Sequence, residues 1–323
     1  MIEFRTLKLE EIEQWFDHCM YAFNGDSYSE SFRNYFKNHW FNDPWRDIES
    51  IFIAVEDGKI LSTVRIFHRK MYLQGQMISM GGIGEVGTGV KSRGLGLSTK
   101  LLGLALEKMK YLEINISTLA TSEDKLGYYG RLGWQTLIRD FKIAKLNVSN
   151  HHEIDIRPIN FYKDIVKIKD IYEQYSGKLS GTIVRDSEYY WEAWVKNEYQ
   201  KCLIAEIEGE VVAYIDSAMI DTSIRVREFG VRVGYEVLFE VMLEASITAF
   251  GLIEAQVMYS ASIANITSVV KKIEAKGRMI SLITPFYLGD KMIKTTEELI
   301  KSMHTGIMGK RGNCHSFWDT DGF

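Results

Sequence analysis

Arg93-Gly94-Leu95-Gly96-Leu97-Ser98 is the stretch on which the reading of this chain turns. Before it, Val86 to Val90 reads as extended chain. After it, Leu97, Leu101, Leu104, Ala105, Met109 and Leu112 fall on one helical face, with Lys100, Glu107 and Lys110 elsewhere. Glycines at a strand-to-helix turn carry no Cβ, so consecutive backbone N–H groups can turn towards one anion at the helix N-terminus. Lys91 and Arg93 add positive charge beside it. Two other phosphate loops do not fit. A Walker loop needs Lys after Gly94, where Leu95 stands. Gly82-Ile83-Gly84-Glu85-Val86-Gly87 spells GxGxxG, but the dinucleotide fingerprint must open a helix, and extended chain follows it. On these residues alone a ligand-free glycine turn stays open as the alternative.

Working outward, helical spacing covers Leu9–Phe23 (Ile12, Trp15, Phe16, Met20) and Ser29–Trp40 (Phe32, Tyr35, Phe36). A hairpin is expected over 51–67, with Asp57-Gly58 at its turn, then a strand over 70–80 and a glycine-dense stretch over 81–96. Ile114–Ala120 alternates as a strand. Ser122 suits a helix N-cap, Gly133 a left-handed helix end, and Trp134 opens a further strand. The second half repeats this order. Helices are expected over 165–175 and 186–196, and a hairpin over 202–217 turns on Glu208-Gly209. A strand over 224–231, a helix over 235–250, a strand over 254–259, a helix over 265–275 and a strand over 279–286 follow, then a helix over 295–304. The two Xaa-Gly hairpins at matching places indicate a duplication, with the polar run Asn147–Glu153 between the copies.

The 323 residues allow two or three domains at roughly 100–200 residues each. A composition of 46% hydrophobic and 25% charged residues excludes bulk disorder. A net charge of -4 leaves no basic surplus for phosphates, so no nucleic-acid partner is expected. The three cysteines, Cys19, Cys202 and Cys314, lie far apart without a CxxC, which argues against a disulfide scaffold or a Cys-rich zinc site. The acidic opening lacks a basic-then-apolar signal pattern, and no run of about 18 apolar residues occurs. The expectation is a cytoplasmic protein with no membrane partner. No metal site is expected, since His151-His152 and His315 lack further ligands at useful spacing.

The loop resembles that of the GNAT superfamily of acyl-CoA-dependent N-acetyltransferases, whose pyrophosphate loop runs Arg/Gln-x-x-Gly-x-Gly/Ala. Ser98 departs from the last small position, and Val90 stands where the family usually has Pro. The stretch Thr121-Ser122-Glu123 through Tyr129-Gly130-Arg131-Leu132-Gly133-Trp134 is similar to the signature of the enhanced-intracellular-survival (Eis) type of tandem acetyltransferase. The resemblance implies an α+β (α/β) fold of two tandem GNAT-type domains, each a mixed, mostly antiparallel twisted sheet flanked by helices. Residues 1–148 would form the catalytic domain and 149–154 the linker. A degenerate copy would span 155–290, and 291–323 a helix and tail returning to the first domain's site.

The same resemblance implies acetyl-CoA as co-substrate, with Arg93, Gly94, Leu95, Gly96, Leu97 and Ser98 on its pyrophosphate and the backbone of Val86 and Thr88 on its pantetheine. Acetyl transfer to an amine needs a base for the amine and an acid for the departing thiolate. A phenol stays protonated at pH 7 yet can donate to a developing thiolate. In the resembled group the Tyr of Tyr-Gly-Arg, here Tyr129, has that role, while Tyr128 should face elsewhere. The resemblance gives the base to the C-terminal carboxylate of Phe323, with Glu85 as second candidate. Asp26, Phe36 and Trp40, with Phe41 and Trp45 nearby, would line the acceptor side, and an aromatic, acidic pocket suits a small cationic amine or a lysine side chain. In the second copy Gly230-Val231-Arg232-Val233-Gly234-Tyr235 holds the corresponding turn with isolated glycines, so that domain reads as structural. An inactive acyl-CoA-binding or partner-binding module is the competing reading, and a homo-oligomer remains compatible.

Overall fold

The computed structural model of the chain describes residues 1–149, 154–263, 266–305 and 315–322. Its first half runs β1 (Glu3–Thr6), α1 (Ile12–Phe23), α2 (Glu30–Phe41), β2 (Ile51–Glu56), β3 (Lys59–Leu73), β4 (Gln76–Thr88), α3 (Leu97–Tyr111), β5 (Ile116–Ala120), α4 (Leu126–Gly130), β6 (Gln135–Thr136) and β7 (Arg139–Asn147). The second half runs β8 (Asp155–Pro158), α5 (Phe161–Ser176), a π-helical turn Tyr190–Val195 continued by α6 (Lys196–Glu198), β9 (Lys201–Ile207), β10 (Glu210–Ile220), β11 (Ser223–Val231), α7 (Leu238–Ala249), β12 (Glu254–Ser260), β13 (Val269–Ala275), β14 (Arg278–Leu282), β15 (Phe286–Leu288), β16 (Lys291–Ile293) and α8 (Thr296–Met303). Among the described residues no helix is long and apolar enough to cross a membrane.

Two seven-stranded sheets result, ordered β1-β2-β3-β4-β5-β14-β6 and β13-β7-β12-β11-β10-β9-β8. Each combines antiparallel hairpins with one parallel step, β4 to β5 across α3 and β11 to β12 across α7. The hairpin turns follow local chemistry: Asp57-Gly58 (φ 50 and 74) and Glu208-Gly209 (φ 51 and 80) are left-handed at both positions, matching the twist of their strands. Gln74-Gly75 (φ 51 and 83) makes a third such turn inside the stretch expected as one strand over 70–80. Gly81 to Gly87 then belong to β4 rather than to a loop. A Cβ at Gly81 would stand 2.4 Å from the Met109 sulfur, so the glycine there lets α3 lie close on the sheet.

Two further expectations are corrected. The helix expected over 265–275, of which Asn265 lies outside the described residues, is not found: β13 pairs antiparallel with β7 over Val269–Ala275, and Val269, Val270 and Ile273 are β-branched residues suited to an edge strand. The cut at 148 does not separate the sheets. β7, from the first half, lies between β13 and β12 of the second sheet, and β14, from the second half, lies between β5 and β6 of the first. The halves therefore exchange one strand each.

Below the first sheet, Leu97, Leu101, Leu102, Ala105 and Met109 of α3 pack on Phe52, Ala54, Val64, Ile66 and Ile83. Above it, Trp15, Phe16, Phe36 and Trp40 of α1 and α2 cover Ile51, Ile53 and Val55. A third cluster, with Phe67, Tyr172, Tyr190, Trp191, Trp194 and Trp318, joins the halves.

Candidate active site

The site begins with a defect in a strand. Arg65 pairs with Gly84 and Thr63 with Gly87, so Glu85 and Val86 together face the single residue Val64. Glu85 is the extra residue of this bulge and takes φ 52. β4 and β5 pair only from Met80–Ile116 to Ile83–Leu119, and beyond the bulge they part. The opening between them leads into a cavity of about 640 Å³. Gly84, Glu85, Val86 and Thr88 of β4 form one wall, the Ala120–Ser122 end of β5 with Tyr128 and Tyr129 the other, and Phe23, Phe32, Tyr35, Phe36 and His39 the roof.

At the mouth, Gly94 (φ 80) and Gly96 (φ 72) turn the chain into α3, and a Cβ at either would meet nothing within 4 Å. The first helical bond to the turn is donated by Lys100 N–H to the Gly96 carbonyl, at 3.1 Å. The N–H groups before it thus stand free for an anion, as at any helix start. A ligand's phosphates fit this open cradle. Leu97 is buried and offers only its backbone there, Leu95 is exposed, and Ser98 lines the cavity. The Arg93 guanidinium donates to the Thr88 and Ala22 carbonyls at 3.3 and 3.4 Å, stitching β4 to α1.

Glu85 is buried with its Oε2 unpartnered. Its Oε1 accepts a long bond, 3.4 Å, from Arg65 Nη1, because Arg65 is drawn to Asp43 at 2.9 Å. Burial outweighs Arg65 and pushes the Glu85 carboxyl up to about 7. His39 Nδ1 lies 3.9 Å away and makes no ion pair in its neutral state, because burial first and then Arg65 and Arg69 push the imidazole down to about 3. Tyr129 is buried against Trp134 and Tyr128, with ring centres 6.2 and 4.9 Å apart, and burial pushes its hydroxyl up to about 12. That phenol stays protonated throughout the neutral range.

The structure thus brings Tyr129, Glu85, Val86, Thr88, Ser98 and Phe36 to one cavity. Tyr128 does not face elsewhere: its hydroxyl lies 2.9 Å from Ser98 Oγ and 3.3 Å from Thr99 Oγ1, tying α4 to α3 at the same cavity. Asp26 lies instead in a separate groove of about 460 Å³ with Gln14, His18 and Lys59. Trp40 is a core residue, edge-on to Trp15 at 6.4 Å. Phe323 lies outside the described residues, as do His151, His152 and Cys314. The tail before Phe323 is buried: Thr320 accepts a bond from Trp194 Nε1 at 3.2 Å through its carbonyl, and Asp321 accepts one from Arg185 at 2.9 Å.

Sequence reading missed His39 and Arg65. His39 follows Phe36 by one helical step, and Thr63, Arg65, Phe67 and Arg69 alternate on one face of an otherwise apolar strand, so both left a periodic signal. In the second half the matching turn is filled by the chain itself. Gly234 N–H donates to Glu236 Oε2 at 2.9 Å, and Arg232 pairs with Asp170 at 2.8 Å. A carboxylate holds the place an anion would take.

Residues 3–137 match the model of the acetyltransferase (GNAT) domain. The fold is similar to that of a probable N-acyltransferase from Enterococcus faecalis, with TM-score 0.69 at 14% identity over 88% of this chain and 73% of that one. It is similar also to a GCN5-related N-acetyltransferase from Anabaena variabilis (TM-score 0.65, 15% identity, 88% and 73% covered). A third likeness is to Eis1 from Mycobacterium abscessus, with TM-score 0.60 at 13% identity over 88% and 74%. No curated protein matches the sequence. With the open cradle at α3, the parted strands and the model match over the same residues, segment 3–137 is an acetyltransferase domain of the GNAT family.

Proposed function

We propose that this protein transfers an acetyl group from acetyl-CoA to the primary amine of an acceptor that carries one positive charge and an apolar body. The observation that carries this reading is the pairing of two groups in one cavity: Glu85, pushed up to about 7, and Tyr129, pushed up to about 12. A base must be partly ionised at working pH, and an acid must still hold its proton there.

The N–H groups around Gly94–Ser98 bind the pyrophosphate, and the edge of β4 freed beyond Glu85 offers Val86 and Thr88 to the pantetheine arm. Glu85 takes the proton from the arriving ammonium, directly or through one water, leaving a neutral amine nitrogen. That nitrogen forms the C–N bond at the thioester carbonyl carbon as the C–S bond breaks. Tyr129 gives its proton to the departing sulfur and recovers, through water, the second proton that the nitrogen sheds on becoming the amide. Neutral His39 and the aromatic roof keep water from the reacting carbonyl.

The acceptor class follows from a charge census. Among the described residues lining the cavity, Glu85 is the sole carboxylate, and Lys125 adds a positive charge. Asp26 is not there to hold a second ammonium. Phe23, Phe32, Tyr35 and Phe36 instead offer faces to an aromatic or aliphatic body and, by cation–π attraction, to its single charge. A calorimetric titration with acetyl-CoA, followed by thiol release over an amine panel, tests this reading. Arylalkyl- and alkylamines should outrun spermidine-like polyamines in kcat/KM. Binding of acetyl-CoA without thiol release for any amine would instead mark an inactive binding module.

A further inference from the structure

Asp43 stands just past the end of α2, before Pro44, and is wholly buried. Its carboxylate gathers three donors. Oδ2 accepts from Arg65 Nη2 at 2.9 Å, and Oδ1 accepts from Arg69 Nη1 at 2.9 Å and from the Trp45 N–H at 3.0 Å. Arg65 and Arg69 share one face of β3 with Phe67 between them, their guanidiniums 4.0 and 5.5 Å from the centre of its ring. The Trp40 ring, at 5.2 Å, supports Arg65 further.

Arg65 faces two carboxylates and serves them unequally. Nη2 goes to Asp43, while Nη1 is divided between Glu85 Oε1 and the His39 carbonyl, each at 3.4 Å. A charge-assisted N–H···O bond closes to about 2.7–2.9 Å, so the bond to Asp43 is full and that to Glu85 is not. A guanidinium released from Asp43 can set both prongs on one carboxylate, the arrangement arginine favours. Arg69 and the Trp45 N–H fix Asp43 from its other side, so it does not follow Arg65 towards Glu85. The other described titratable groups facing Glu85 are neutral near pH 7. Cys19 of α1 and Tyr35 of α2 are pushed up by burial and then by Glu85, and His39 is pushed down. Among the described residues, the charges acting on Glu85 are Arg65, which favours its ionised form, and Asp43, which opposes it.

We propose that Asp43 is a positioning residue for Glu85: it draws Arg65 aside, so that no closed ion pair forms on Glu85 and the carboxyl stays free to take the amine's proton. Asp43 touches neither substrate nor the reacting atoms and acts only through Arg65. The proposal rests on the reading of Glu85 as the base, so its test is read on the carboxyl itself as well as on turnover.

The Glu85 carboxyl should be titrated in the full-length protein by carbon NMR with carboxyl-labelled glutamate, its signal identified by loss in Glu85→Gln. Asp43→Asn keeps the shape and removes the charge, so Arg65 closes on Glu85. The midpoint should then fall from near 7 by at least about one pH unit, a tenfold change in proton affinity. Adding Arg65→Gln to Asp43→Asn should bring it back to the wild-type value or above. That reversal separates positioning from damage. A cavity that had merely loosened and admitted water would also lower the midpoint, but removing Arg65 from a wet site would leave it low. Arg65→Lys decides the matter should Asp43→Asn fail to fold: an ammonium held at Asp43 leaves Glu85 without its long bond, and the midpoint should rise. A midpoint unmoved or raised in Asp43→Asn overturns the proposal. So does one that stays low in the double variant, or one that falls or stays put in Arg65→Lys. The pH profile of kcat in the same variants should follow the carboxyl. Carboxyl midpoints that move as stated while kcat does not follow would overturn Glu85 as the base and leave the positioning of its carboxyl standing.

Discussion

The His39 imidazole stacks on the Trp194 indole, ring centres 4.7 Å apart and planes 29° from parallel. His39 belongs to the roof of the cavity in the first half, Trp194 to the π-helical turn of the second, and the indole N–H is held by the Thr320 carbonyl of the tail. The second half thus props the first half's site from behind. Trp194→Ala should cost about 3–5 kcal/mol of stability, the usual range for a buried Trp. In the protein that still folds, acceptor KM should rise by ~10-fold while the Kd for acetyl-CoA stays within about twofold, since the cradle at α3 is untouched. Steady-state kinetics and calorimetry on one preparation check both.

Gly96 tests the cradle. Its φ of 72 is strained for any residue with a Cβ, at roughly 1–2 kcal/mol, and its Cβ would meet no protein atom. Gly96→Val should therefore fold, place its branch where a pyrophosphate would lie, and weaken acetyl-CoA binding by at least ~10-fold, about 1.4 kcal/mol. Unchanged affinity by calorimetry would put the anion elsewhere.

Tyr129 and Tyr128 separate an acid from a brace. Tyr129→Phe should keep acetyl-CoA binding and lose ~10²-fold or more in kcat, the common worth of a positioned acid. Tyr128→Phe loses only its contacts with Ser98 and Thr99 and should change kcat by less than about threefold. Equal losses in the two variants would remove the distinction.

Glu85 carries a stability cost with a definite sign. Its folded value of about 7 lies above that of an exposed Glu, near 4.3, so between those limits the folded state holds the extra proton. Stability contributed by Glu85 is therefore full below about pH 4 and is lost as pH rises to about 7. Glu85→Gln, which keeps the shape and the bond from Arg65, should be more stable than the wild type at pH 8, by up to roughly 3 kcal/mol. The difference should vanish near pH 4. Denaturant melts at the two pH values measure it, and equal gains at both would place the Glu85 carboxyl in its ordinary range.

What could be read from the sequence was local. Arg93–Ser98 shows its cradle because two glycines and the next helix's apolar face are neighbours in the chain, and Asp57-Gly58 and Glu208-Gly209 make their turns from their own chemistry. The exchange of β7 and β14 could not be read, since it depends on pairings between residues such as Met279 and Leu119, far apart in sequence. The stretch 265–275 is too polar and short for periodicity to decide, and the strand state of Val269–Ala275 comes from β7 beside it. Asp26 lies between the two expected helices and Trp40 at the end of the second, but the way α1 and α2 lie on the sheet leaves Asp26 in a separate groove and turns Trp40 to the core. Glu85 was visible as a carboxylate at the head of a strand. That it is bulged, buried and half-unpartnered is a property of the sheet and its roof.

The pH dependence of kcat for the wild type and for Glu85→Gln, with both substrates saturating, tests the role of Glu85 most directly. Saturation leaves only groups of the bound complex to titrate. Transfer through Glu85 requires a wild-type kcat that rises with a midpoint near 7 to a plateau, with no falling limb from Tyr129 below about pH 10. Glu85→Gln should lose ~10²–10⁴-fold and show no midpoint near 7. A Glu85→Gln enzyme that keeps wild-type kcat and the same midpoint would contradict the assignment of the base.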